Sequence, residues 1–235
     1  MTRLLWTALV GLGMAQGAVV FSSGGPTTDL AVTIGESTAG TLFTLPNAVT
    51  VAGVRFWMAA YSPLTADPQA NFSGELYFAL HLNALGDVGA MVTDAVATGL
   101  TSTPTGLVVP GDNTGIGVVE FNLPASVNLT AGVYWLILHE GTSLAGFDGT
   151  DLAWQSAGPG FSKQGALGAL PTSATPRAAA FELVDTAFAG SGSGTATPEP
   201  GTLGMIGIGM MAFFVRRMRM RRTGCRSNVN GFLTE

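Results

Sequence analysis

Glu75-Leu76-Tyr77-Phe78-Ala79-Leu80-His81-Leu82 places Leu76, Phe78, Leu80 and Leu82 on one side of an extended chain, and Glu75, Tyr77 and His81 on the other. A helix would scatter these leucines around its circumference, so the period of two predicts a half-buried strand. Val119, Phe121 and Leu123 alternate with Glu120 and Asn122 in the same way. Further candidate strands lie at Thr41 to Leu45, Val49 to Met58, Gly132 to His139, Leu152 to Gln155 and Phe181 to Val184, separated by Gly, Pro, Asn and Asp. No stretch between Thr27 and Asp185 shows comparable helical spacing. The pattern predicts an all-β domain, an antiparallel β-sandwich of jelly-roll type, with a barrel as the competing architecture.

The 235 residues allow one well-packed domain plus targeting segments. Charged residues make up 11% of the chain, against roughly 25% in ordinary soluble proteins, so the surface is expected to be coated with Thr, Ser, Asn, Gln and Gly, as suits an extracellular protein. Between Ala18 and Thr197 the basic residues are Arg55, Lys163 and Arg177, whereas thirteen carboxylates run from Asp29 to Asp185. Three positive against thirteen negative charges leave this region at about −10, which disfavours nucleic acid and anionic lipid as partners. Cys225, the single cysteine, lies beyond the C-terminal apolar segment, so the domain must be stable without disulfides.

Both ends read as addresses. Residues 1–17 have the form of a secretory signal peptide: Arg3 is the positive n-region, Leu4 to Met14 the apolar h-region, and Ala15 and Gly17 the small residues before a cut between Gly17 and Ala18. After a domain at 18–188, Ala189 to Thr197 is a Gly/Ser/Thr linker too poor in large apolar side chains to offset its ordering entropy. Pro198, Glu199 and Pro200 follow, then an uncharged apolar run from Gly201 to Val215, then Arg216, Arg217, Arg219, Arg221 and Arg222. As a single membrane helix the run would be about 22 Å long, short of a hydrocarbon core of about 30 Å. It is therefore expected to insert with snorkelling arginines or local thinning. The arginines place the short tail, residues 223–235, in the cytoplasm and the domain outside. Gly204 to Phe214 offers no polar stripe, which argues against a surface-lying amphipathic helix.

This order of Pro-Glu-Pro, Gly-rich apolar run and arginine cluster, over Thr197 to Arg222, resembles the PEP-CTERM sorting signal of exported proteins of Gram-negative bacteria. The resemblance implies an inner-membrane-tethered precursor, an exosortase-type membrane protease as partner, and a product at the cell surface or in an exopolysaccharide or biofilm matrix. Thr223 to Glu235 continues past the point where such tags usually stop. Two internal stretches are similar to a recurrent ectodomain of PEP-CTERM proteins. One runs from Thr41 through Gly53, Val54, Arg55, Phe56 and Trp57 to Tyr61, and the other from Leu129 to Leu136. That likeness implies a β-sandwich of unassigned biochemistry.

Catalytic signatures are sparse, and the expectation is a protein that is not an enzyme. The Gly-x-Ser-x-Gly elbow of serine hydrolases is absent, and Gly190 to Gly194 alternates Gly and Ser in the wrong phase. His81 and His139, the only histidines, fall near solvent edges of predicted strands and read as structural. Glu75, Glu120 and Glu140 are the least implausible carboxylates for a glycosidase, but no motif selects a pair. Calcium would find hard oxygen ligands at Asp148 and Asp151, or at Asp112 with Asn113, although Asp-Gly and Asp-Asn are also ordinary turn formers. Trp57, Trp135 and Trp154, with Tyr61 and Tyr134, would form a sugar-stacking platform if they shared an exposed face. Alternation sets Trp57 against Phe56 and Trp135 against Tyr134, so one of each pair belongs to the core.

Overall fold

The computed structural model describes residues 17–62, 72–110, 114–146 and 151–189. Among these the chain forms twelve strands: β1 (Val19–Ser22), β2 (Leu30–Thr33), β3 (Thr38–Leu45), β4 (Val49–Ser62), β5 (Leu76–Ala84), β6 (Asp87–Val96), β7 (Thr98–Val109), β8 (Thr114–Leu129), β9 (Gly132–Glu140), β10 (Asp151–Gly165), β11 (Ser173–Ala179) and β12 (Phe181–Val184). No helix occurs among the described residues.

Every pairing is antiparallel. In the first sheet β8 lies between β7 and β4. The other edge of β4 pairs with β12 from Gly53 to Phe56 and then with β10 from Met58 to Ser62. Strand β1 adds to β12, and β2 adds to β10. The second sheet runs β6-β5-β9-β3-β10-β11. Strand β10 thus serves both sheets: Asp151 to Gln155 pair in the first, and Ser156 to Gln164 pair with β11 in the second. Register shifts at Trp154/Gln155 and Ser156/Gly158 supply the bend, as bulges do at sandwich corners. The far ends of the two sheets, β6 and β7, pair only with β5 and β8. The assembly is therefore joined along one side and open along the other, a sandwich and not a closed barrel.

The alternation that announced the strands builds the core between the sheets. Phe56, Phe121, Trp154 and Phe181 project from the first sheet, and Phe43, Phe78, Tyr134 and Leu136 from the second, all buried. Ring contacts bridge the layers: Phe43 meets Phe181 edge-on with centroids 5.4 Å apart, and Phe78 meets Phe121 at 5.4 Å. Such aromatic pairs add to area burial, because the positive edge of one ring sits near the negative face of the next.

Of the described side chains with buried, unpartnered polar atoms, Gln155 has the most. Gln155, at the corner where β10 changes sheets, has no solvent exposure, and neither its Oε1 nor its Nε2 has a hydrogen-bond partner. Each unmet polar atom in such a place costs about 1–3 kcal/mol. Gln155→Met keeps the length of the side chain and removes both atoms, so denaturant unfolding is expected to show a gain of about 1–3 kcal/mol. A loss of stability would mean that the amide is satisfied after all.

Candidate functional site

The three tryptophans take different places. Trp154 has no exposure and lies in the core between the sheets, against Phe56 and Phe181, with Nε1 donating to the Ala180 carbonyl at 2.9 Å. Trp135 points out of the opposite side of the second sheet from Tyr134, yet it too has no exposure. Its Nε1 donates to Asp87 O at 3.0 Å and Asn83 Oδ1 at 3.2 Å, so the β5–β6 hairpin turn folds over it. Lys163 finishes the cover, with its ammonium 5.5 Å from the Trp135 ring and paired to the Asp87 carboxylate. Trp57, half-buried on the outer face of the first sheet beside Leu30 and Ala59, is the one of the three with a surface. The expected platform of Trp57, Trp135 and Trp154 is therefore corrected: two members are structural, and the three do not share a face.

The same outer layer changes the reading of the opening stretch. Leu76, Phe78 and Leu80 face the core as expected, but His81 is buried as well. Its Nδ1 lies 2.9 Å from the Gly89 carbonyl, inside the hairpin that covers Trp135. Leu82, expected in the core, is 44% exposed near the end of β5. His139 is fully buried, with Nδ1 3.1 Å from the Ser37 carbonyl and Nε2 against that of Gly146. The ring ties two loops together, so neither histidine sits at a solvent edge. Tyr77, beside them on the outer face of β5, has its hydroxyl pKa pushed well above the usual range by burial and by its 2.7 Å bond to Asp94.

The three candidate glutamates, Glu75, Glu120 and Glu140, take separate places. Glu120 and Glu182 flank Arg55 on neighbouring strands, in direct register on β8, β4 and β12. Arg55 donates to Glu120 from Nε at 2.8 Å and pairs with Glu182 through Nη1 at 2.8 Å. Burial works against the Arg55 charge, but the hydrogen bonds and charges of the two glutamates outweigh it and raise its pKa. Glu140 is buried at the end of β9 and accepts the Ser73 amide at 2.7 Å. Glu75 is exposed, next to β5 on the other sheet from Glu120. A shallow depression of about 270 Å³, lined by Ala48, Val49, Thr50, Asn128, Leu129 and Thr130, holds no ionisable side chain.

The two ends of the domain are held side by side. Asp185 N donates to Ala18 O at 3.1 Å, and Ala18 N donates back to Asp185 Oδ1 at 2.9 Å, just ahead of the β1–β12 pairing. Three residues on, the Phe188 backbone is gripped by Asn122, whose Oδ1 accepts its N–H at 2.7 Å and whose Nδ2 donates to its carbonyl at 3.4 Å. The Phe188 ring fits over Gly53, where a Cβ would come within 2.9 Å of it, and 5.6 Å from the Arg55 guanidinium. Ala18 and Phe188, near the two ends of the described residues, are thus both held by the fold. Sequence reading had no signal for Asn122 or Asp185, because their partners lie 66 and 167 residues away along the chain.

Asp112, Asn113 and Asp148 lie outside the described residues, as does the Asp151 side chain; among the described residues no three His, Cys, Asp or Glu side chains form a metal-holding group. The leader, Pro198, Glu199, Pro200, the apolar run and Arg216, Arg217, Arg219, Arg221 and Arg222 also lie outside them. No curated protein and no solved structure matches the chain. A family model does match its C-terminal part, over residues 196–222, and it is described as the PEP-CTERM protein-sorting motif. The chain is thus an exported protein with a PEP-CTERM sorting signal, made as a membrane-anchored precursor and processed by an exosortase.

Proposed function

We propose that the domain is a non-enzymatic component of a cell-surface or extracellular polysaccharide matrix. The observation that carries this reading is how the chemically able side chains are employed. His81 and His139 brace loops, Glu120 is shared with Arg55, and Glu140 holds a backbone amide. Each is committed to the fold, as expected of a scaffold whose task is to persist outside the cell. The low charge and acidic balance of the domain support neutral glycans, more than anionic polymers, as its surroundings.

A second reading, a carbohydrate-binding module, draws on Trp57, since a half-buried ring on an outer sheet face can stack on a sugar. One experiment separates the readings. The full chain is produced in an exosortase-bearing host, and three things are measured: the mature protein retained in the host's polysaccharide, its release on washing, and new reducing ends in the polymer. Retention without turnover, equal for wild type and Trp57→Ala, is the expected result. Turnover would make the protein an enzyme, and loss of retention in Trp57→Ala would make it a binding module.

A further inference from the structure

We infer that Asp185 is the receptor for the amino terminus created on export, and that this terminus is Ala18. Ala18 is held by the fold at both backbone polar atoms, its carbonyl accepting from Asp185 N and its nitrogen donating to Asp185 Oδ1 at 2.9 Å. It is also the residue that follows Gly17 in the leader pattern. Two unrelated observations, a sequence pattern upstream and a contact 167 residues away, meet at one peptide bond. Gly17 itself is pressed on the Thr186 backbone, where a Cβ would stand 2.4 Å from the carbonyl oxygen, so the fold has no room for a larger residue there.

A signal peptidase hydrolyses the Gly17–Ala18 amide with one water: the hydroxyl joins the Gly17 carbonyl carbon, and the proton goes to the Ala18 nitrogen. At neutral pH the freed amine takes a second proton, because α-amino groups titrate near about 8. A neutral N–H facing a carboxylate becomes an ammonium facing a carboxylate, and the contact becomes a charge-assisted bond. Thr186 Oγ1 donates to the same Oδ1 at 3.0 Å and holds the carboxylate in place. The other charged groups on the neighbouring strands are Glu182 of β12, Arg55 of β4 and Glu120 of β8; Arg55 pairs with both glutamates, and the one negative charge left over does not oppose an ammonium. Cleavage therefore adds an ion pair where β1 joins β12, and the cut leader leaves behind an end that the fold already fits.

This inference rests on export, and the experiment keeps the two apart. The full chain is expressed with its own leader in an exporting Gram-negative host, and the purified protein is examined by intact mass and by labelling with an amine-reactive ester at pH 7. Lys163 is the chain's one lysine and is nearly buried, so the α-amine is the main target and Lys163 an internal reference. The expected result is a chain beginning at Ala18 whose α-amine labels about three- to tenfold faster in Asp185→Asn, with Asp185→Glu restoring part of the protection; tenfold corresponds to one pH step in the amine's titration. Equal labelling of wild type and Asp185→Asn would overturn the receptor role. An exported product beginning at another residue would overturn the assignment of Ala18 while leaving export intact. A chain still beginning at Met1 would remove both.

Discussion

Trp154→Ala is expected to cost the domain about 3–5 kcal/mol, a large share of the about 5–15 kcal/mol that holds a typical domain folded, because the indole is wholly buried and the lost volume is not refilled. Phe56 and Phe181 each lose an edge-on partner, at 5.9 and 6.1 Å between centroids, and the Ala180 carbonyl loses its donor. Trp57→Ala removes a half-buried ring from an outer face and is expected to cost far less, about 1 kcal/mol. Denaturant midpoints of the secreted domain measure both. The contrast also governs how any binding experiment is read: weaker retention of a Trp154 variant would report unfolding, and only Trp57 tests a glycan contact. Comparable midpoints for the two variants would mean that Trp154 does not fill the core.

Why alternation did not show that Trp135 and Trp154 are both buried is a question of layers. Alternation tells which residues share a side of a strand, and it put Leu76, Phe78 and Leu80 on one buried side while leaving open which of Tyr134 and Trp135 faces the core. It assumes that the other side meets water. Over the second sheet that assumption fails, because the hairpin turn at Asn83 to Asp87 and Lys163 of β10 close over Trp135. Nothing local marks Asn83 or Asp87 as a lid, since their contacts join segments about fifty residues apart.

The strands that escaped the pattern failed for a related reason. β6 and β7 are edge strands, largely exposed on both sides, so Asp87 to Val96 and Thr98 to Val109 have little burial to imprint a period. Pro104 and the positive φ of Gly99 and Gly106 mark β7 as an interrupted edge, where a missing N–H and a local bend are tolerated. Strand β10 was legible only up to Gln155, where it leaves one sheet for the other and its alternation changes partners. The tag was legible in full, because a linear signal read by a membrane protease has to be written in consecutive residues.

Processing at that tag is expected to change the molecule more than any point substitution. The secreted product should begin at Ala18 and end near Pro198 to Pro200, losing Gly201 to Glu235 and with it six of the chain's ten basic residues and Cys225. Phe188 is held to the fold by Asn122. The nine residues from Ala189 to Thr197 then reach at most about 32 Å when fully extended, so the cut can fall clear of the sandwich without unfolding it. The product should carry about −10 from three basic residues and thirteen carboxylates, with Glu199 adding one more negative charge if it is kept. Replacing Pro198, Glu199 and Pro200 by alanines should abolish the short species and leave the precursor in the membrane fraction, while the domain unfolds at an unchanged denaturant concentration. Intact mass of secreted and membrane-bound material, with and without an active exosortase, decides the matter. A secreted species that still carries Arg216 to Arg222 and Cys225 would make the segment a plain anchor, and cleavage that survives the alanine replacement would place recognition in the apolar run or the arginines.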